Sequence, residues 1–243
     1  MKYIHITFLL FFIGCSSSLP DESLPLADHL KIGMDFLDQG KFVKAQDEFK
    51  FILSRGTGTD YGDDAQFFLA EAYFLNEQYM LSIQEYENLT RKMAFSPFFE
   101  KARFRICEAY RIESPNYYND QSYTEKALER YREFLDDFPE SEHSKTVSES
   151  MSVLRNKLAK KLYETGILYM KMDEFEPARM SFNQVLDLYY DTDIIENVHY
   201  EVIKSYLKQG NDKKARNHWI DKGRDYIKQD KLVLELTEVF SQK

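Results

Sequence analysis

The sequence predicts an all-α fold: a solenoid of about five helical hairpins, with a long helix joining an N-terminal group of three hairpins to a C-terminal pair. Three observations predict it. First, only nine Gly and six Pro occur in 243 residues, too few to supply the turns of an all-β fold. Second, a pattern of small and aromatic residues recurs. Ile32-Gly33-x-x-Phe36 precedes Ala45-x-x-x-Phe49, and Leu69-Ala70-x-x-Tyr73 precedes Ser82-x-x-x-Tyr86. Thr165-Gly166-x-x-Tyr169 precedes Ala178-x-x-x-Phe182, and Val202-Ile203-x-x-Tyr206 precedes Ala215-x-x-x-Trp219, each with the same 12-residue step between the two small-residue slots. Third, Val147, Met151, Leu154, Leu158, Leu162, Thr165 and Tyr169 fall three or four apart, one apolar stripe on one continuous helix. An apolar fraction of 43% with 15% aromatic residues is ample for a core.

The chain opens with Met1-Lys2, an apolar run from Tyr3 to Ile13, and Gly14-Cys15-Ser16. A short basic start and an apolar run of this length describe an export leader, since a membrane span needs about 20 apolar residues. Residues 1–14 are read as a signal peptide and Cys15 as the first residue of the mature chain. The Gly14-Cys15 junction resembles the lipobox, with Phe12 where Leu is usual. That resemblance implies a covalent diacylglycerol and an N-acyl chain on Cys15, and a membrane held by lipid rather than spanned. Each buried methylene adds about 0.8 kcal/mol, so two or more chains anchor where one does not. Ser16, rather than Asp, after the cysteine fits sorting to the outer membrane. Residues 15–26, with Pro20 and Pro25, form a flexible tether.

Residues 27–140 hold the first three hairpins. A small residue on each helix lets the backbones approach while aromatics fill the gap, and stacking buries what one hairpin cannot bury alone. Gln39-Gly40 and Asn76-Glu77 mark the turns inside the first two hairpins, and Pro97 and Pro139 mark boundaries between repeats. The third copy is interrupted: Ile106-Cys107-x-x-Tyr110 meets Ala127-x-x-x-Tyr131 only after about eight extra residues, within Glu113 to Asp120. Cys107 fills the small-residue slot, so it is read as packing. Residues 141–243 hold the long helix, capped by Ser141 or Ser144, and two hairpins turning at Met172-Asp173 and Gln209-Gly210. Gly33, Ala70 and Cys107 are spaced by 37 residues, as are Gly166 and Ile203, which resembles the tetratricopeptide period.

Charge excludes one class of partner. The formal net charge is −9, and −10 once Lys2 leaves with the leader, so nucleic acid is not expected to bind. With Cys15 acylated, Cys107 stands alone and no disulfide forms. His5, His29, His143, His199 and His218 are scattered without metal-ligand spacing, so no metal and no cofactor beyond the lipid is expected. Gly56-Thr57-Gly58 lacks the Lys-Ser/Thr of a phosphate loop, Asp63-Asp64 and Asp136-Asp137 sit at helix ends, and Asn88-Leu89-Thr90 is read as a chance triplet. An enzyme is not expected.

Ser114-Pro115-x-Tyr117-x-x-Asp120-Gln121-x-Tyr123-Thr124-x-x-Ala127, then Phe134-Leu135-x-x-Phe138-Pro139-x-Ser141, and the later Val185-Leu186-x-x-Tyr189-Tyr190-Asp191-Thr192 resemble the BamD family of outer-membrane β-barrel assembly lipoproteins over nearly the whole mature chain. Tyr190 stands where that family commonly has Pro, a departure expected to loosen the turn. The resemblance implies two partners: the periplasmic domains of a BamA-like barrel subunit, and unfolded outer-membrane proteins. Independently, the outward positions of the first helices, Leu30, Met34, Leu37, Phe67, Glu71, Phe74, Phe104 and Arg111, suggest an aromatic-lined groove for an extended peptide. They could equally pack against a neighbouring repeat. A surface glycan-binding lipoprotein of the SusD-like kind is the rival class, but it resembles chains about twice this length with large irregular insertions.

Overall fold

The computed structural model describes residues 20–241; Cys15 and the leader lie outside them. Among the described residues every regular element is helical. Helices α1 (Leu26–Asp38), α2 (Phe42–Ser54), α3 (Gly62–Leu75) and α4 (Tyr79–Lys92) make two antiparallel hairpins. Then come α5 (Phe99–Glu113), α6 (Ser122–Asp137), the long α7 (Ser144–Lys171), α8 (Phe175–Leu188) and α9 (Ile195–Lys208). The chain closes with α10 (Asp212–His218), a π-helical turn (Trp219–Gly223), the short α11 (Arg224–Tyr226) and α12 (Asp230–Ser241). The fold is all-α and of tetratricopeptide type.

The chain divides into two compact units meeting at Phe99 and Glu100. That cut differs from the sequence boundary at 140/141, because α6 packs on α7, so the third hairpin falls in the second unit rather than with the first two. In the first unit Ala45, Phe49, Ile52, Ala65, Leu69, Ala72 and Tyr73 form the core, with α2 packed between α1 and α3.

The repeat pattern becomes packing. The small residues Ala45, Ser82, Ala127, Ala178 and Ala215 are all fully buried. A Cβ added at Gly33 would lie 2.6 Å from Phe49 Cε1, and one added at Gly166 would lie 2.3 Å from Phe182 Cε1, so the aromatic sixteen positions on occupies the space that glycine vacates. The turns share one geometry. Gly40 (φ 70°), Glu77 (φ 59°), Asp173 (φ 58°) and Gly210 (φ 74°) all take the left-handed conformation. At each, the next N–H donates back to the carbonyl of the repeat aromatic: Lys41 to Phe36 at 2.9 Å, Gln78 to Tyr73 at 2.9 Å, Glu174 to Tyr169 at 3.0 Å and Asn211 to Tyr206 at 2.8 Å. This closure satisfies the last helical carbonyls.

The interrupted repeat is organised by Gln121, which is buried. Its Nε2 donates to the carbonyls of Asn116 (2.8 Å) and Asn119 (3.1 Å), while its Oε1 accepts from Thr124 Oγ1 at 2.8 Å. Helix α7 holds the insertion from outside, with Lys157 Nζ donating to Ser114 Oγ at 2.7 Å and Lys161 Nζ to the Asn119 carbonyl at 2.7 Å. The fifth hairpin departs from the others. Ile203 and Trp219 occupy the small and aromatic slots, and the larger pair is accommodated by a π turn at whose end Gly223 approaches Trp219 so closely that a Cβ would meet Cε3 at 2.9 Å. Helix α12 then caps this hairpin with Leu236 and Phe240, an element not foreseen from the repeat pattern.

Candidate functional site

The eight groove residues proposed from the sequence fall into three equivalent rows of the repeat, and the structure treats each row differently. The row three positions before the small residue holds Leu30, Phe67 and Phe104. Phe67 is 1% exposed and stacks on Phe98 at 4.4 Å between centroids, so it belongs to the core of the first unit and does not line an open groove. Leu30 is half-buried on the same core. In the second unit Phe104 stacks on His143 at 4.0 Å and 5°. The reason is geometric: on these helices that row faces the second helix of the hairpin and the incoming loop.

The row one position after the small residue holds Met34, Glu71 and, in the third hairpin, Glu108. Glu71 is 7% exposed and accepts a short hydrogen bond from the Tyr86 hydroxyl. Glu108 likewise accepts from Tyr131, and Arg111 forks onto it at 2.7–3.1 Å. Burial pushes the Glu108 carboxyl upward, but the hydrogen bonds from Arg111 and Tyr131 outweigh it and hold the pKa below the ordinary carboxylate value. Glu71, Glu108 and Arg111 therefore bind their own hairpins together. A rule within the chain accompanies this. Where the aromatic of the second helix is Tyr (Tyr86, Tyr131), this row carries Glu, and where it is Phe (Phe49, Phe182), the row carries Met34 or Ile167. A hydroxyl buried between helices needs an acceptor, and a phenyl ring does not.

The row four positions after holds Leu37, Phe74 and Arg111. Leu37 is half-buried, Phe74 is half-buried with its ring edge-on to Tyr79 at 5.3 Å, and Met34 beside them is 38% exposed. In the first unit, then, Met34, Leu37 and Phe74 keep the apolar surface open to a ligand. Phe104 and Arg111 belong to the second unit.

Two features had no signal in sequence spacing. His29 is fully buried and its Nδ1 lies 2.6 Å from Glu48 Oε2. His199 Nδ1 and His218 Nε2 meet at 3.0 Å across α9 and α10. Burial, reinforced at His199 by His218, lowers both imidazoles to about 4. The turn where Tyr190 replaces Pro is held by Arg155, whose Nε donates to Asp191 at 3.0 and 3.1 Å and whose Nη2 donates to the Leu188 carbonyl at 2.8 Å. Among the described residues no three His, Cys, Asp or Glu side chains are grouped to hold a metal ion, and no helix is long and apolar enough to cross a membrane.

Stacked hairpins with small-for-aromatic exchange and left-handed Schellman turns define a tetratricopeptide-type repeat protein. The profile of the YfiO family, described as outer membrane lipoprotein, matches residues 27–221, and the chain belongs to that family. Two curated relatives carry the name outer membrane protein assembly factor BamD. The one from Rickettsia prowazekii is 25% identical over 222 residues, covering 88% of this chain and 86% of the relative. The one from Caulobacter vibrioides is 22% identical over 212 residues, covering 84% and 69%. Among solved structures, a tetratricopeptide protein of Thermus thermophilus is similar at 17% identity and a TM-score of 0.38, covering 89% of this chain and 99% of its own. One from Parabacteroides merdae is similar at 15% and 0.39, covering 89% and 79%.

Proposed function

We propose that this chain is an assembly factor for outer-membrane β-barrel proteins, a binding scaffold rather than an enzyme, held at the periplasmic face of the outer membrane by lipid on Cys15. The observation that carries the reading is the family match over residues 27–221, whose relatives are named assembly factors. Within it, Met34, Leu37 and Phe74 offer apolar contacts to extended segments of unfolded barrel proteins, and the second unit receives the periplasmic domains of a BamA-like barrel subunit.

Met34→Glu with Phe74→Glu tests the division. Both positions retain exposed surface, so charging them leaves the core intact, whereas charging Phe67 would unfold it. In titrations with a peptide ending in an aromatic residue, the double variant should bind about tenfold more weakly, because a carboxylate placed beside apolar contacts is desolvated. Affinity for the barrel subunit's periplasmic domains should be unchanged. Full peptide affinity in a folded double variant removes the surface from the proposal, and joint loss of both partners removes the division between the units.

A further inference from the structure

We propose that one edge of the first unit rests on the phospholipid bilayer, with Phe95 seated in the headgroup layer and Arg91 and Lys92 paired with lipid phosphates. The inference rests on the lipid attachment proposed above for Cys15. Five residues lead from Cys15 to Pro20, and an extended chain spans at most about 3.3–3.6 Å per residue. Pro20 is therefore held within roughly 18 Å of the lipidated cysteine.

From Pro20 the chain turns at Asp21, whose carboxylate accepts from the Ser23 N–H at 3.1 Å. It then passes Glu22, which accepts from Arg55 Nη2 at 3.2 Å. Arg55 stands at the C-terminus of α2, at the start of the 55–61 loop. That loop faces the 93–98 loop across an open cleft of about 400 Å³, lined by Thr57, Gly58, Arg91, Lys92 and Phe95. Ser96 Oγ donates to Asp63 Oδ2 at 3.0 Å and ties the second loop to the start of α3. The N-termini of α1 and α3 and the C-termini of α2 and α4 thus share the edge at which the anchored segment enters.

Phe95 is fully exposed there, more so than any other large apolar side chain of the described residues. The loop bearing it is not slack: Met93 N–H donates to the Leu89 carbonyl at 2.8 Å and Phe99 N–H to the Ser96 carbonyl at 3.0 Å. A ring held out in water forgoes the favourable transfer of its apolar surface out of water. An aromatic ring flanked by long cationic side chains suits the boundary between headgroups and acyl chains. Of the acidic neighbours on this edge, Glu22 is engaged with Arg55 and Asp63 with Ser96, while Asp21 and Asp60 are exposed.

The test places the full lipidated chain in vesicles of phosphatidylethanolamine and phosphatidylglycerol whose acyl chains carry bromine, a quencher of tryptophan. Phe95→Trp is compared with Met80→Trp, an exposed position at the start of α4, on the opposite edge of the same hairpins. The wild type, with its single Trp219, supplies the baseline, and thermal melting confirms folding. The indole introduced by Phe95→Trp should lose roughly half its emission to brominated lipid and shift to the blue, as a residue in the interfacial layer does, while the indole introduced by Met80→Trp is unaffected. Equal emission of the Phe95→Trp variant in brominated and plain vesicles, from a chain that has taken up labelled fatty acid, overturns the inference and leaves the lipid anchor standing. Failure to incorporate fatty acid removes the anchor and this inference together. A blue shift in the Phe95→Trp variant that grows with protein concentration without quenching assigns the loop to a second copy of the chain and overturns the bilayer contact.

Discussion

At Tyr86 and Glu71 a hydroxyl and a carboxylate, both buried, meet between the two helices of one hairpin. The same pairing recurs at Tyr131 and Glu108, while Phe49 and Phe182 face an apolar row. Glu71 was legible as a groove position on a first helix, but its acceptor role was not, since nothing in spacing shows which way a side chain points. Coupling is the expected signature. Tyr86→Phe and Glu71→Met should each lower stability by about 1–2 kcal/mol, and the double variant, which installs the pair found in the first hairpin, should lose less than their sum by about 1 kcal/mol. Denaturant titration of all four proteins measures this, and strict additivity would show that the hydrogen bond is incidental. Glu77 and Asp173 are a second residue-scale finding. They accept the left-handed conformation at about 1–2 kcal/mol because the turn geometry repeats whether or not glycine is present.

At the scale of elements, the two helices α9 and α10 bring His199 and His218 together inside the last full hairpin. Lys222, and at His218 also Asp221, add smaller electrostatic effects to the burial that lowers both rings, and Tyr226 stacks on His199 at 4.6 Å. An imidazole whose folded pKa is about 4, against 6.5 when unfolded, takes up protons preferentially in the unfolded chain as pH falls. Its contribution to stability is therefore complete above pH 6.5, declines below it, and stops declining below about pH 4. Melting followed by circular dichroism should fall between pH 7.5 and 5, and His199→Gln with His218→Gln should flatten that part of the profile. An unchanged pH slope in the double variant would show that other groups govern it. The capping helix α12 explains why this hairpin matters: Arg216 Nη2 donates to the Phe240 carbonyl at 2.7 Å, so the cap is fastened to the same element.

At the scale of the whole molecule, the leader and the repeats make one expectation: a helical scaffold delivered to a membrane and retained there by lipid. Cys15→Ala should abolish uptake of labelled fatty acid and leave the chain uncleaved or in the soluble periplasmic fraction, while the wild type fractionates with outer membranes. Identical partitioning of the two, with no label in either, would end the lipid reading. Because Cys15 precedes every described helix, the folded hairpins should survive in the variant with an unchanged melting midpoint.

The sequence by itself determined the helical class, the repeat and its register. Gly33 opposite Phe49, Gly166 opposite Phe182 and the turns at Gly40, Glu77, Asp173 and Gly210 follow from local spacing, since a helix converts position along the chain directly into a face. The extra residues before Ala127 were visible as an interruption, and their order was not, because Gln121 is satisfied by carbonyls of the insertion while Lys157 and Lys161 reach Ser114 and Asn119 from 43 and 42 positions away. Only the tertiary structure decided which of the groove residues are open. Phe67 and Phe74 sit on one helix seven positions apart and read alike as sequence. Phe98, arriving from a later loop, covers the first and leaves the second half-exposed. Burial depends on what other elements bring, and that information is distributed over the chain rather than written beside the residue it buries.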